Sequence, residues 1–255
     1  MENTVGLIGQ YFLLSLSLGM GFFSIIVNPK ETGIGFIKLL NIIALVSIAI
    51  LFISVGADYF TKTSLPYYVG IALFGLGQFV HHNRKSVLFW TLFGAQNFIL
   101  LFLFYNLLEI NNYLSLFYLL TGSFLLGVIT YAMLLGHWYL VVPKLHEKYI
   151  RRAMIIFWIL FGFKILFSSI GLFKGQNFFI SGTQLGMGHT FNWILLVMRV
   201  TWGYMMLAVL GVFTWKLIKI RSIQSATGIL YVMTFLVFAG ELIAGFFYYK
   251  YGLYL

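Results

Sequence analysis

The chain has 255 residues, of which 61% are hydrophobic and 9% are charged, and its mean hydropathy is +0.97. A water-soluble domain of this length exposes too much surface to carry that composition, so we expect a protein that folds within a lipid bilayer. The absence of cysteine excludes disulfide bonds, thiolate metal sites and cysteine nucleophiles. The net charge of +10 would suit nucleic-acid binding, unless the positions of the basic residues along the chain explain it in another way.

Eight apolar segments follow one another along the chain, and each is a candidate for the stretch of roughly 20 residues that crosses a bilayer as an α-helix. They cover residues 5–27, 34–55, 66–81, 87–108, 113–142, 153–173, 192–217 and 227–249. The third is short and the fifth is long, and no soluble domain fits between any two of them. The sequence therefore predicts an all-α, polytopic membrane bundle of about eight transmembrane helices. We expect it to form one domain over residues 1–255.

Lysine and arginine are concentrated on one side of this predicted bundle. The connections after segments one, three, five and seven hold eleven of them: Lys30, Lys38, Arg84, Lys85, Lys144, Lys148, Arg151, Arg152, Lys216, Lys219 and Arg221. The opposite side holds three, which are Lys62, Lys174 and Lys250. The positive-inside rule places the richer side in the cytoplasm, so we predict a multi-pass protein of the plasma (inner) membrane with both termini outside. This topology explains the net charge without a nucleic-acid partner and leaves Lys164 and Arg199 within the membrane.

Two opposite charges lie in consecutive apolar segments near the end of the chain. Arg199 comes eight residues after Phe191, and Glu241 comes eight residues before Tyr249. Because these two segments cross the bilayer in opposite directions, both charges lie about 12 Å below the same surface. Ionisable side chains are costly in lipid and are usually paired or functional. The spacing therefore predicts an ion pair, or two walls of one polar site.

A third charge extends this pair into a polar layer in the outer half of the bilayer. Lys164 lies nine residues before Phe173, which places it about 13 Å below the same surface. Thr234 shares a helix face with Glu241, because the two are seven residues apart. Two cations then face one carboxylate, and a bound anion or a quinone oxygen would compensate the excess positive charge. The alternative is a salt bridge that joins the seventh and eighth helices and has no other role.

The longest connection between segments covers residues 174–190 and lies above the polar layer. It is rich in glycine and contains Gln184 and His189, and we predict that it acts as a cap or an entrance. Histidine is the side chain that exchanges a proton most readily near neutral pH. The candidate catalytic residues are therefore Glu241, Arg199 and His189, and the candidate substrate-binding residues are Lys164, Arg199, Gln184 and Thr234.

Three further histidines lie toward the predicted cytoplasmic side. His81 and His82 end the third segment, and His137 lies near the inner end of the fifth. Two histidines from separate helices at one depth are what a b-type haem needs as axial ligands, so a haem site is one interpretation. The other is that they are ordinary interfacial residues beside Arg84 and Lys85. No zinc-binding H-E-x-x-H, Walker A, G-x-S-x-G or dinucleotide motif occurs in the sequence, and no metal site is predicted.

These observations leave three functions open. The first is an integral subunit of a respiratory-type redox complex that binds a quinone or quinol in the polar layer. There, Arg199 or Lys164 polarises a quinone oxygen, and Glu241 and His189 pass protons outward. Other subunits of the complex, which carry metal centres, are then the expected partners. The second function is a transporter or channel for a small anion that uses the same charges. The third is a non-catalytic assembly subunit whose ion pair is structural.

Overall fold

Helices account for almost all of the described chain. The computed structural model describes residues 2–55, 65–80, 86–107, 113–142, 145–180 and 187–255, and no strand occurs within them. The α-helices are α1 (Glu2–Phe23), α2 (Pro29–Thr32), α3 (Ile34–Val55), α4 (Leu65–Val80), α5 (Val87–Leu107), α6 (Tyr113–Val141), α7 (Lys148–Lys174), α8 (Gln176–Ile180), α9 (Met187–Val200), α10 (Leu207–Lys219) and α11 (Ile223–Tyr251). A π-helical segment, Thr201–Met206, joins α9 to α10 without a break.

Seven helical segments within the described residues are long and apolar enough to cross a membrane. They are α1, α3, α5, α6, α7, α11 and the continuous run of α9, the π-helical segment and α10. The helix α4 is also apolar but has only 16 residues, and it corresponds to the short third segment of the prediction. The predicted all-α membrane bundle is confirmed. The side on which its termini lie and the membrane that holds it stay predictions.

The connection predicted over residues 174–190 is partly helical, so the prediction of a loop there is wrong in part. Helix α8 covers Gln176–Ile180, and α9 already begins at Met187. His189 therefore lies on the first turn of a helix. The apolar segment that was predicted to begin at residue 192 starts one turn earlier, because glycine and histidine near its beginning do not prevent helix formation.

Three helices, α1, α6 and α11, form the centre of the bundle. Helix α1 packs against α3, α5, α6 and α11, and α6 also packs against α7 and α11. Helix α4 packs on α3 and α5, whereas α10 packs on α7 and α11. The helices α1 and α6 approach closely because Gly19 faces Gly127, where an added Cβ atom would meet the Cα atom of the opposite glycine. This arrangement brings residues of several helices to one buried site.

Helix α11 ends at a glycine that reverses the chain. Gly252 has a φ of 68°, and its N–H donates to the carbonyl oxygen of Tyr248 at 2.8 Å. The N–H of Leu253 donates to Phe247 at 3.2 Å. A left-handed residue at this position favours glycine, which has no Cβ atom to clash with the preceding carbonyl. Residues 252–255 therefore turn back against the bundle instead of extending the axis of α11.

Ion pairs connect the loops at the end of the bundle where α7 begins. Glu147 lies 3.2 Å from Nη2 of Arg151 and 3.1 Å from Nε of Arg221. Nζ of Lys148 lies 2.7 Å from the carboxylate of Glu31, and its hydrogen bond lowers the pKa of that carboxyl group. These contacts tie the start of α7 to α2 and to the turn between α10 and α11.

Arg221 has a backbone conformation that usually belongs to glycine. Its φ is 59°, and the N–H groups of Arg221 and Ser222 donate to the carbonyl oxygens of Ile218 at 3.1 Å and Leu217 at 2.9 Å. This is the Schellman cap of α10. The side chain of Arg221 is 80% exposed. An exposed ion pair of this kind contributes at most about 1 kcal/mol.

We expect Arg221→Gly to be more stable than Arg221→Ala by about 1 kcal/mol. Both variants lose the ion pair with Glu147, but only glycine relieves the left-handed strain. The free energies of unfolding of the two variants, measured in the same detergent, give this difference directly. Equal stabilities would contradict the left-handed cap at this position.

Candidate functional site

Glu241 of α11 binds two cations at once. Its Oε2 atom lies 3.0 Å from Nζ of Lys164 on α7, and its Oε1 atom lies 3.2 Å from Nη2 of Arg199 on α9. The hydroxyl group of Tyr11 on α1 donates a further hydrogen bond to Oε2 at 3.2 Å. The predicted ion pair between Arg199 and Glu241 is confirmed, and so is the presence of Lys164 in the same layer. We call Lys164, Arg199 and Glu241 the ion triad.

All three residues of the ion triad are almost completely buried. Lys164 is 0% exposed, Glu241 is 1% exposed and Arg199 is 2% exposed. Burial of an unpaired ion costs on the order of several kcal/mol, so the triad is stable only because its opposite charges pair at close range. The ring of Tyr118 adds to this pairing, since its centroid lies 3.7 Å from Nζ of Lys164.

A glycine of α6 makes room for the carboxylate and the lysine. A Cβ atom on Gly122 would lie 2.5 Å from the hydroxyl oxygen of Tyr11 and 2.7 Å from Nζ of Lys164. The same Cβ atom would also meet Oε2 of Glu241. A side chain at this position would therefore push the two charges apart, which makes Gly122 part of the site although it carries no polar group.

The guanidinium group of Arg199 lies in a space that the π-helical segment forms with α11. Cβ atoms on Gly203 of the π-helical segment and Gly240 of α11 would lie 3.0 Å and 2.7 Å from Nη1 of Arg199. The ring centroid of Tyr204 lies 4.5 Å from Cζ of Arg199, so the cation also faces an aromatic ring. Single π-helical turns are rare and are frequent at functional sites.

The main-chain oxygen of Leu255 accepts two hydrogen bonds beside the ion triad. Nε of Arg199 donates to it at 3.2 Å, and the hydroxyl group of Tyr118 donates at 2.5 Å. Leu255 is only 2% exposed. The chain that turns back at Gly252 thus inserts its own backbone oxygen among the charged groups.

A cavity of about 250 Å³ lies next to Arg199, between α7 and α9. We call it the α7–α9 cavity. Its walls are mainly apolar, and its polar side chains are those of Arg199, Ser168, Ser169 and Tyr204. The hydroxyl groups of Ser168 and Tyr204 lie 2.5 Å apart. Ile165 and Val200, also in the lining, are 37% and 38% exposed, so the cavity opens on the surface of the bundle. The complete lining is Ile165, Ser168, Ser169, Leu172, Leu196, Arg199, Val200, Tyr204 and Leu255.

Thr234 belongs to the buried face of α11 but does not reach the ion triad. It lies seven residues before Glu241, which is two helical turns or about 10 Å. Its hydroxyl group donates to the carbonyl oxygen of Leu230 in the same helix at 2.8 Å. The structure therefore places Thr234 outside the cavity that the described residues form around Arg199.

His189 is also remote from the ion triad. It precedes Arg199 by ten residues on α9, a distance of about 15 Å along the helix. Its Nε2 atom accepts a hydrogen bond from Nε1 of Trp193 at 3.1 Å. Gln184, the other polar residue predicted for the entrance, lies outside the described residues.

His137 of α6 is exposed on the bundle surface. Its Nδ1 atom lies 3.3 Å from the hydroxyl oxygen of Tyr231 on α11. His81 and His82 lie outside the described residues, so the haem interpretation stays a hypothesis. In the part of the chain that the structure describes, no group of three histidine, aspartate or glutamate side chains is suited to a metal ion.

Four polar residues of the site were not predicted: Tyr11, Tyr118, Ser168 and Tyr204. In the sequence, a tyrosine whose hydroxyl group takes part in a polar site cannot be distinguished from an aromatic residue that only packs in an apolar helix. Ser168 could have been found, because it lies four residues after Lys164 and so shares its helix face. Tyr204 could not be found in this way. It follows Arg199 by five residues, and residues five apart share a face in a π-helix but not in an α-helix.

The fold and the site define a polytopic helical membrane protein with a buried ion triad and an adjoining cavity. No protein-family model, curated protein or solved structure matches the chain. The chemistry of the ion triad and the cavity is therefore the basis on which a function is assigned.

Proposed function

We propose that the chain is an integral subunit of a membrane redox complex and that it binds a quinone or quinol in the α7–α9 cavity. The observation that carries this proposal is a largely apolar cavity of about 250 Å³ with three hydroxyl-bearing residues, Ser168, Ser169 and Tyr204, and the guanidinium group of Arg199 in its lining. Sites for small molecules usually combine apolar walls with a few polar groups of this kind. A quinone head group is an apolar ring with carbonyl oxygens, and it reaches such a cavity from the lipid.

The polar groups of the cavity are suited to a quinone oxygen. Ser168 and Tyr204 share one hydrogen bond, which leaves the hydroxyl hydrogen of one of them available to a carbonyl oxygen of the ligand. The positive charge of Arg199 stabilises the negative charge that builds on this oxygen as electrons arrive. Reduction of a quinone to a quinol takes two electrons and two protons. The expected partner subunits, which carry metal centres, would exchange these electrons with the quinone, and the hydroxyl pair would carry the protons to or from its oxygen.

The geometry favours a positioning role for Glu241. Both of its carboxylate oxygens already accept hydrogen bonds from cations, and neither lies in the lining of the cavity among the described residues. Glu241 therefore holds Arg199 in place, while Ser168 and Tyr204 replace Glu241 and His189 as the groups nearest to a bound quinone. A carboxylate with two close cations is a poor proton acceptor.

A lipid-soluble ligand fits these observations better than a small anion does. Lys164 is fully buried, and it is engaged with Glu241 and the ring of Tyr118. The cavity opens between α7 and α9 toward lipid, where a hydrated anion would lose its water shell. The proposed function therefore uses one cation of the ion triad, Arg199, and leaves Lys164 as structural support.

We expect Tyr204→Phe to weaken quinone binding by about fivefold to tenfold, which corresponds to one hydrogen bond. The variant keeps the ring over Arg199 and leaves the ion triad intact. Binding is measured by titrating the purified protein in mild detergent with a decyl-substituted benzoquinone, and by extracting the bound small molecules with organic solvent. The matched control is Thr201→Val, because the Thr201 hydroxyl group in the same π-helical segment donates to its own helix at 2.8 Å.

Two results would contradict the redox assignment. One is the absence of saturable quinone binding to the wild-type protein, which would leave the assembly function with a structural triad. The other is an equal loss of binding in Tyr204→Phe and Thr201→Val, which would show that the effect comes from the π-helical segment as a whole and not from the cavity.

A further inference from the structure

A second cavity, of about 300 Å³, lies at the end of the bundle where α7 begins. It is formed by the last turn of α6, the connection from α6 to α7, and the turn between α10 and α11. We call it the end pocket. Its described lining shares no residue with that of the α7–α9 cavity, so the two are separate sites. The lining is Tyr139, Leu145, His146, Glu147, Arg221 and Ile223.

The end pocket lies at the depth of the lipid head groups. The helices α6 and α11 have 29 residues each, so each is about 43 Å long. A bilayer is about 40–45 Å thick when its head groups are included. Tyr139 lies two residues before the end of α6, and Ile223 is the first residue of α11. The pocket is therefore level with the phosphate groups of one membrane surface.

Arg221 offers an unused hydrogen-bonding fork at this pocket. Its Nε atom lies 3.1 Å from Oε2 of Glu147, and its side chain is 80% exposed. Its Nη1 and Nη2 atoms make no hydrogen bond with any residue that the structure describes. The two N–H groups of such a fork match two oxygens of one phosphate group, and an arginine that binds phosphate in this way is more specific than a lysine.

The backbone at Arg221 supports a role beyond stability. Its φ of 59° is a conformation that strains every residue with a Cβ atom. This strain is comparable with what an exposed ion pair contributes, so the contact with Glu147 does not by itself account for an arginine at this position. Residues held in left-handed conformations occur often at ligand sites, where the position of the side chain matters.

His146 supplies a second donor to the end pocket. Its Nδ1 atom accepts a hydrogen bond from the backbone N–H of Lys148 at 3.2 Å. The ring hydrogen is therefore on Nε2, which is a donor. The hydroxyl group of Tyr139 donates to the main-chain oxygen of His146 and so holds the connection that carries this ring.

The charges around the end pocket leave room for an anion. The carboxylate of Glu147 is paired with Arg151 at 3.2 Å and with Arg221 at 3.1 Å, so two cations face one acidic group. An anion compensates the remaining positive charge. Leu145 and Ile223 add apolar surface to the lining, which suits the glycerol and the first carbons of an acyl chain.

We propose that the end pocket binds a phosphate group through the Nη atoms of Arg221 and the Nε2 atom of His146. The phosphate group belongs to the head group of an anionic phospholipid or to a free phosphate ion. The depth of the pocket and its apolar residues favour the lipid. This site is independent of the proposed quinone site, and each stands without the other.

Calorimetric titration of the purified protein in a nonionic detergent tests the proposal. The three ligands are dihexanoyl phosphatidic acid, inorganic phosphate, and dihexanoylglycerol, which lacks the phosphate group. We expect saturable binding of the phosphatidic acid, weaker binding of inorganic phosphate and no binding of dihexanoylglycerol. Arg221→Gly should weaken the binding of phosphatidic acid by about tenfold or more, because a charge-assisted pair of hydrogen bonds is lost. Glycine suits the left-handed backbone, so this variant keeps the fold.

Two further variants separate recognition by the pocket from general attraction between charges. Arg152→Gln removes the same charge from an exposed position of α7 outside the described lining, and it should change the affinity by less than about twofold. Arg221→Lys keeps the charge but loses the fork, and it should weaken binding by about threefold or more.

The outcomes decide both the site and the source of the phosphate. Equal affinities for phosphatidic acid and inorganic phosphate, both lowered in Arg221→Gly, would assign the pocket to free phosphate. Absence of saturable binding of either ligand to the wild type would overturn the proposal. Equal losses in Arg221→Gly and Arg152→Gln would also overturn it, because the attraction would then depend on net charge and not on the end pocket.

Discussion

Replacement of Glu241 by glutamine is expected to lower the free energy of unfolding by about 3–5 kcal/mol. Lys164 and Arg199 would remain buried, with exposures of 0% and 2%, but without the carboxylate that both of them contact. Two cations of like charge would then also repel each other in a medium that screens them poorly. Unfolding in mixed micelles with increasing SDS measures the difference.

The matched control is Glu147→Gln at the end of the bundle. Glu147 also contacts two arginines, at 3.2 Å and 3.1 Å, but the Arg151 and Arg221 side chains are 44% and 80% exposed. Water solvates these charges when the carboxylate is removed, so the expected loss is within about 1 kcal/mol. Similar losses in Glu241→Gln and Glu147→Gln would contradict the account of the ion triad as a desolvated charge cluster.

A double variant separates the charge effect from the effect of the altered shape. Lys164→Met in the Glu241→Gln background removes one of the two unpaired cations and keeps a side chain of similar length. We expect it to recover at least about 1 kcal/mol of the loss. No recovery would mean that Glu241→Gln acts through packing instead of through the buried charges.

Gly122→Ala is expected to lower the free energy of unfolding by about 1–3 kcal/mol, although alanine is a better helix former than glycine. The new Cβ atom would lie 2.5 Å from the Tyr11 hydroxyl oxygen and 2.7 Å from Nζ of Lys164, so the groups around Glu241 must separate. Both contacts are with polar atoms held in place by their own hydrogen bonds, which leaves little freedom for relaxation.

The control for this substitution is Gly162→Ala on α7, where an added Cβ atom would have no neighbour within 4 Å. That variant should gain up to about 1 kcal/mol from the improved helix propensity. The two alanine variants are therefore expected to change stability in opposite directions. A gain of stability in Gly122→Ala equal to that in Gly162→Ala would show that the site is not packed as tightly as the contacts indicate.

The bundle and its ion triad were predictable because the bilayer restricts what a chain can do. Backbone groups must be satisfied within each spanning segment, so long apolar runs have to be helices. Charges within such runs need partners, and equal depth identified Arg199, Glu241 and Lys164 as one group. Gly122, by contrast, could not be distinguished from a glycine that only lets two helices pack closely. The sequence does not indicate which atoms of other helices lie next to a glycine.

The cavity and the path of residues 252–255 were not predictable in the same way. That path depends on the left-handed conformation of Gly252. Such a short apolar stretch has no periodicity to interpret. The cavity depends on the spacing between α7 and α9 and on the rotation of Tyr204, and both follow from tertiary packing rather than from local pattern.

The π-helical segment has a consequence for how the length of this chain can change during evolution. Arg199, Gly203, Leu207 and Gly211 are all buried and recur at every fourth position, whereas three turns of an α-helix take only about 10.8 residues. A π-helical turn takes up the additional residue. An insertion elsewhere in this helix would rotate everything beyond it by about 100° and turn the buried face of α10 away from α11. Homologues in which this helix is one residue longer or shorter are therefore expected to have the insertion or deletion between Arg199 and Gly211. The contacts of the ion triad then stay as they are.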